Sequence, residues 1–250
     1  MSIKWYHIPR TKRKKGTGDM SIFAIADLHL GLSVDKPMDV FGSSWNDHVE
    51  RLESNWRAKV RPTDTVLIPG DISWEMDLQN CKQDFAFLNS LPGTKILMKG
   101  NHDYWWTTKR KMDAFIEENG FSTLKILFNN AYRFGDYTIV GTRGWFYDAE
   151  ADADKKVLLR EKGRLQMSID AGKALGGELI CFLHYPPLSM NQCCDELMDV
   201  LRQQRIKRCF YGHLHGPSTS LAFIGDRDDI HFQLISADYL HFCPFLVEKI

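Results

Sequence analysis

The sequence predicts an α/β fold in which two sheets pack together with helices outside. Short apolar runs of strand length, several rich in β-branched or aromatic residues, recur at Ile22 to Ala26, Val66 to Ile68, Ile96 to Met98, Ile139 to Val140, Leu179 to Leu183 and Cys209 to Tyr211. Helically spaced apolar stripes fill the gaps between the early runs. After Ser220 that spacing stops and strand-like runs close the chain. Strands alternating with amphipathic helices argue for βαβ units and a mainly parallel sheet.

In chain order, residues 1–18 hold the basic run Arg10 to Lys15 and Gly16-Thr17-Gly18, and read as a basic N-terminal arm. No Pro/Gly/Ser-rich linker, repeat or low-complexity tract follows, so residues 19–250 are expected to form a single domain. Asp27 cuts the run from Ile22 after five residues, well short of a signal-peptide core of roughly 7–15. Trp45, Val49, Leu52 and Trp56 stripe a first helix, and Leu78, Cys81, Phe85 and Leu88 a second. A third is expected from about Thr107 to Glu118 with Met112, Phe115 and Ile116 inward, and a fourth from about Lys155 to Leu175. Leu221 to Ile224, His231 to Ser236 and Phe245 to Val247 read as closing antiparallel strands.

Composition narrows the function. With 44% hydrophobic and 26% charged residues, the 250-residue chain is neither collagen-like, coiled-coil nor wholly disordered. Thirty-two Lys and Arg balance thirty-two Asp and Glu, so no overall charge favours nucleic acid or an anionic membrane. The basic arm is the one local candidate for touching nucleic acid, and such tails are commonly just solvated. No apolar run approaches the roughly 18 residues of a membrane span. Six cysteines stand without CxxC or zinc-finger spacing, and Cys181 and Cys209 lie in apolar runs; free thiols and a cytoplasmic location are expected. Oligomeric state is not legible. No GxxxxGK[ST] loop, GxGxxG fingerprint, HExxH helix or GxSxG elbow is present, so nucleotide-driven transfer, dinucleotide redox, zincin proteolysis and serine hydrolysis have no support.

The polar residues that follow the strand-like runs carry the chemistry. Ile22 to Ala26 ends in Asp27-Leu28-His29, Val66 to Ile68 in Pro69-Gly70-Asp71, and Ile96 to Met98 in Lys99-Gly100-Asn101-His102-Asp103. Leu179 to Leu183 runs into His184, and Cys209 to Tyr211 into Gly212-His213-Leu214-His215. Open α/β sheets bind ligands beyond the C-terminal ends of their strands, so these groups are expected to converge. A lone histidine there would be unremarkable, but five strands delivering carboxylate, imidazole or carboxamide beside the core would each carry a desolvation cost with no use for it. Asp27, His29, Asp71, Asn101, His184, His213 and His215 are too many donors for one tetrahedral ion. Oxygen and imidazole without thiolate suit a pair of Mn, Fe or Zn ions, divalent or trivalent. A two-metal site serves in-line displacement at phosphorus.

The five blocks resemble, in order, the DxH, GD, GNHD, H and GHxH motifs of the calcineurin-like metallophosphoesterase superfamily. The strings Gly70 to Trp74 and Gly100 to Trp106 are also similar to a bacterial group of predicted phosphohydrolases within it. The resemblance spans Ser21 to about His215. It implies a four-layer α/β/β/α sandwich of two mixed sheets, and a phosphoesterase in which a metal-bridging hydroxide attacks a phosphomonoester or phosphodiester in line. It implies one ion on Asp27, His29, Asp71 and His215 and a second on Asp71, Asn101, His184 and His213, with Asp71 shared. It makes His102 the non-ligand histidine that stabilises developing charge and protonates the leaving oxygen, and Asp103 the group that orients its imidazole. The implied substrate is a small-molecule phosphate ester or nucleotide. Some relatives have lost ligands and act as interaction scaffolds, the alternative here, though no ligand is missing.

Weaker signals have ordinary readings too. Arg143 follows a strand-like run and either clamps a phosphate or is a surface arginine in a turn. Trp105 and Trp106 either wall a cleft, stacking a base or sugar, or pack a helix start, the commoner fate of aromatics. Arg160 and Arg164 read as solvated ion-pair partners. Asp238, near the end of the strand from His231, has only suggestive placement.

Overall fold

The computed structural model describes residues 20–34, 36–145 and 151–250, so the basic arm expected at residues 1–18 lies outside the described residues. The first sheet comprises β1 (Ser21–Ala24), β2 (Thr65–Pro69), β3 (Thr94–Met98), β4 (Leu124–Ile126) and β11 (Phe245–Lys249), in the order β11-β1-β2-β3-β4. Its strands are parallel except β11, which pairs antiparallel with β1. Helices α1 (His48–Lys59), α2 (Lys82–Ser90) and α3 (Lys109–Glu118) supply the crossovers. The second sheet comprises β5 (Tyr132–Phe134), β6 (Tyr137–Thr142), β7 (Glu178–Leu183), β8 (Arg208–Tyr211), β9 (Gly225–Arg227) and β10 (Ile230–Leu234), in the order β5-β6-β7-β8-β10-β9. Helices α4 (Asp152–Leu175) and α5 (Asp195–Gln203) connect its parallel strands.

Strand alternation builds the layers, because successive side chains point to opposite faces. In the first sheet Phe23, Ile25, Val66, Ile68 and Leu97 join Leu52, Trp56, Phe85, Leu88, Met112 and Phe115 in a core beneath α1, α2 and α3. Ile22, Ala24, Leu67, Ile96 and Met98 face the other way, against Ile139, Ile180, Phe182 and Phe210 of the second sheet. Val140, Cys181, Leu183, Cys209 and Tyr211 then turn outward under Leu165, Ile169, Leu197 and Leu201 of α4 and α5. Three cores therefore separate four layers, an α/β/β/α sandwich.

The closing strands differ from expectation. Leu221 to Ile224 is not a strand, since Gly216–Leu221 forms a 3-10 turn and β9 begins at Gly225. β10 runs parallel to β8 and pairs antiparallel with β9, whereas the third expected closing strand is present as β11, antiparallel to β1. A short sheet-edge hairpin follows β8 where a bare antiparallel closure was expected, which periodicity cannot distinguish because it is the same in both directions. Beyond β10, Ala26 N–H donates to Ile235 O at 2.8 Å and Ala237 N–H to Ala26 O at 3.0 Å, so the two sheets are stitched together just past the end of β1.

Candidate metal centre

The parallel strands end on the same side of the sandwich, and their following loops meet at that stitch. Asp27 N–H donates to Gly70 O and His29 N–H to Asp71 O, both at 2.9 Å, which sets the first two loops side by side. In the second sheet Gly212 N–H donates to His184 O and His184 N–H to Arg143 O, both at 3.1 Å. Two glycines permit the approach. A Cβ at Gly70, which holds φ +96°, would stand 2.6 Å from the Gly100 Cα, and one at Gly100 would collide with the Asp71 carboxylate.

All seven expected donors come together. Ligand atoms of Asp27, His29 and His215 lie within 4.8 Å of one another, and so do those of Asp71, His184 and His213. Asp71 Oδ2 faces both groups, 3.8 Å from His29 Nε2 and 3.6 Å from His184 Nε2. Asp27 Oδ1 sits 3.5 Å from His184 Nδ1 and 3.6 Å from His215 Nε2. Asn101 Oδ1 is 2.6 Å from His184 Nε2. The partners of the remaining ligand atoms fix orientation: His102 N–H donates to Asp71 Oδ1 and His213 N–H to Asp27 Oδ2, each at 2.8 Å.

The donor set fits cations. Asp27 Oδ1 and His215 Nε2 are buried and without a hydrogen-bond partner, although each faces the other. His184 is fully buried and its pKa is lowered by that burial. The neutral ring has one N–H; donated from Nδ1 to Pro69 O at 3.1 Å, it leaves Nε2 and Asn101 Oδ1 as two acceptors face to face. A shared cation reconciles such a pair. Electrostatics agree: burial, followed by the charge of Asp27, pushes Asp71 up to about 8. Burial would lower His215, yet Asp27 and Asp238 raise it to about 10, while burial and His184 bring His213 down to about 3.

The other site expectations fare differently. His102 is half-buried beside the donors, its ring centroid 5.6 Å from that of His29 and 4.8 Å from that of Trp74. Asp103 does not orient that imidazole. Its carboxylate accepts from the backbone N–H groups of Gly100 at 2.7 Å, Asp71 at 2.9 Å and Ile72 at 2.8 Å, and from Trp105 Nε1 at 3.0 Å, while His102 Nδ1 has no partner. A buried carboxylate takes the nearest unpaired N–H groups, here those of the loops after β2 and β3, so Asp103 ties these loops together. Trp105 is corrected as well: at 2% exposure it packs edge-on against Phe85 and cannot line a cleft. Arg143 is a half-buried partner of Glu161 at 3.5 Å rather than a solvated turn residue.

Two contributors carried little signal in the sequence. Asp238 accepts from His215 Nδ1 at 2.9 Å and from Gly216 N–H at 2.8 Å, holding the ring so that Nε2 points at Asp27. Trp74 stacks on His29, with ring centroids 4.9 Å apart and planes at 26°. Asp238 lies in a turn after β10 that no motif marks; the Gly-Asp-x-x-Trp string did include Trp74 but gave it no role.

Two adjacent Asp/His clusters that could hold metal ions, at the strand ends of an α/β/β/α sandwich, are what these features define. The family model for calcineurin-like phosphoesterases matches residues 20–217, and the chain belongs to that family. A search of the curated proteins finds no match. Among solved structures, the Aquifex aeolicus protein AQ665, of unknown function, superposes with a TM-score of 0.52 at 14% identity, covering 91% of this chain and 95% of its own. A phosphopantetheinyl hydrolase from Mycobacterium tuberculosis gives 0.50 at 15% identity, covering 92% and 96%. At such identities these likenesses speak for the fold alone.

Proposed function

We propose that this chain is a dinuclear-metal phosphoesterase that hydrolyses a phosphomonoester or phosphodiester of a small molecule or nucleotide by in-line attack of water. The observation that carries the reading is the pair of largely buried Asp/His triads, set side by side by Asp71 facing His29 and Asp27 facing His184, with the unpartnered Asp27 Oδ1 and His215 Nε2 among their atoms. Asp27, His29, Asp71 and His215 would hold one ion, and Asp71, Asn101, His184 and His213 the other; Mn, Fe or Zn suit these donors. When bound, the ions supply Lewis acidity toward phosphate oxygen and water. The chain supplies the rest. Asp238 and the Pro69 carbonyl hold the N–H of two ligand imidazoles, so that the opposite nitrogens stay free as donors. His102, anchored by its own N–H on Asp71, presents its ring beside the centre, where it donates to the leaving oxygen and passes it a proton. Asp103 acts as a positioning residue through the loop backbones. No specific observation favours a silent scaffold, since every ligand of the five blocks is retained. Six free thiols among the described residues suit a cytoplasmic location, and no helix there is long and apolar enough to cross a membrane.

Protein reconstituted with Mn²⁺, Zn²⁺ or Fe²⁺ should hydrolyse p-nitrophenyl phosphate or bis(p-nitrophenyl) phosphate and lose that activity to a chelator. Failure on both esters, under conditions where a known metallophosphoesterase succeeds, would overturn the reading.

A further inference from the structure

Lys99, Arg143 and Arg164 line one cavity beside the metal centre, together with Glu161, Asn129 and Phe128. Its place is set by the site itself. Lys99 immediately precedes the Gly100-Asn101 loop, and the Arg143 carbonyl accepts from the N–H groups of His184 at 3.1 Å and Tyr185 at 2.8 Å. The charge there is unbalanced. Glu161, 1% exposed on the inner face of α4, is the cavity's lone carboxylate; it already accepts from Thr142 Oγ1 at 2.6 Å and Arg164 Nη1 at 2.5 Å, with Arg143 Nη2 at 3.5 Å. Among the described residues Lys99 forms no ion pair, and Arg143 Nε is buried with no hydrogen-bond partner.

Both guanidinium groups are held in place by aromatic rings, Arg143 at 4.6 Å from the Trp145 centroid and Arg164 at 5.0 Å from that of Phe128. Their planar forks match phosphate oxygens, and part of each remains open, 16% of Arg143 and 32% of Arg164. Three partly buried cations against one carboxylate, in a chain of zero net charge, call for an anion. A carboxylate from the protein would only repeat Glu161, whereas a phosphate can engage two forks and an ammonium at once.

We propose that Lys99, Arg143 and Arg164 form a subsite at this cavity's mouth for a second phosphate group, carried by the leaving group of the substrate. The proposal rests on the phosphoesterase reading and narrows it: the substrate class is a phosphate ester bearing a further phosphate. Arg164, which helical spacing places on a solvated face, thus belongs to the binding surface.

The test is the binding of inorganic phosphate to the full chelator-treated chain by titration calorimetry, with p-nitrophenyl phosphate hydrolysis by the ion-loaded chain assayed in parallel. Lys99→Gln should weaken phosphate binding about tenfold, the effect of one lost charge-assisted hydrogen bond, and Lys99→Arg should restore it. Unchanged thermal unfolding of Lys99→Gln shows that the loss is not a folding defect. Equal affinity in wild type and Lys99→Gln, or no phosphate binding by the wild type, would overturn the subsite. Absent hydrolysis with phosphate binding intact and dependent on Lys99 would instead overturn the phosphoesterase reading and leave the anion site standing.

Discussion

Four of the seven donors, Asp27, His29, Asp71 and His213, hold left-handed backbone, with φ of 62°, 46°, 51° and 72°. Side chains with a Cβ rarely adopt that region, and each instance costs of order 1–3 kcal/mol. Such strain persists where surroundings over-determine it, and here the loop-to-loop bonds of Asp27, His29 and Asp71 do so. The motifs made the donors legible residue by residue, because their chemistry and order are written directly in the chain. What could not be read was which atom turns toward which. Asp103 and His102 are adjacent in sequence, but the carboxylate is captured by backbone N–H groups. The roles separate experimentally. His102→Ala should lower turnover by about 10²–10⁴-fold while leaving metal content unchanged, whereas Asp71→Asn should reduce both. Elemental analysis beside kinetics checks this, and metal loss in the His102 variant would contradict its place outside the ligand set.

The elements were legible wherever a side-chain pattern was strong, and the limits of that reading are physical. The four expected helices are present as α1 to α4, the first two preceded by 3-10 turns that include Trp45, Leu78 and Cys81. α5 escaped notice because its nine residues lack a lead-in such as the 3-10 turn that lengthens the stripe of α2, although Leu197, Met198, Val200 and Leu201 are buried. The crowded loop after β3 admits no side chain at Gly100, where a Cβ would meet the Asp71 carboxylate and backbone. Gly100→Ala should therefore destabilise by about 1–3 kcal/mol in denaturant titrations and reduce metal uptake with it. An effect within the noise of surface substitutions would count against the close packing of these two loops.

β3 also buries a lysine that no motif flagged. Lys95 is wholly buried, with its Nζ donating to Leu91 O at 2.6 Å and Gly93 O at 2.7 Å. Burial, then the charge of Arg57, lowers its pKa from 10.5 to about 8. Between those values the unfolded chain holds a proton that the folded chain does not, so stability rises with pH. The contribution is complete above 10.5 and lost as pH falls through about 8. Unfolding of wild type and Lys95→Met should accordingly diverge in favour of wild type as pH climbs through that window. Parallel pH profiles would show that the ammonium is not desolvated as described.

At the scale of the whole molecule, the two sheets matter because each brings only part of the donor set. β1, β2 and β3 lead to Asp27, His29, Asp71 and Asn101, while β7 and β8 lead to His184, His213 and His215. The stitch from Ala26 to Ile235 and Ala237 holds the halves in register. The class of fold was legible from alternating strands and helices, and the four layers from the motif resemblance. The parallel course of β10 was not, since pairing direction leaves no mark on side-chain alternation. The central claim, that both sheets combine into one centre for two adjacent ions, is most directly tested by the metal stoichiometry of the reconstituted, desalted protein. Elemental analysis should return two ions per chain, falling below two in Asp71→Asn. Retention of one ion or none by the wild type, across Mn, Fe and Zn, would contradict it.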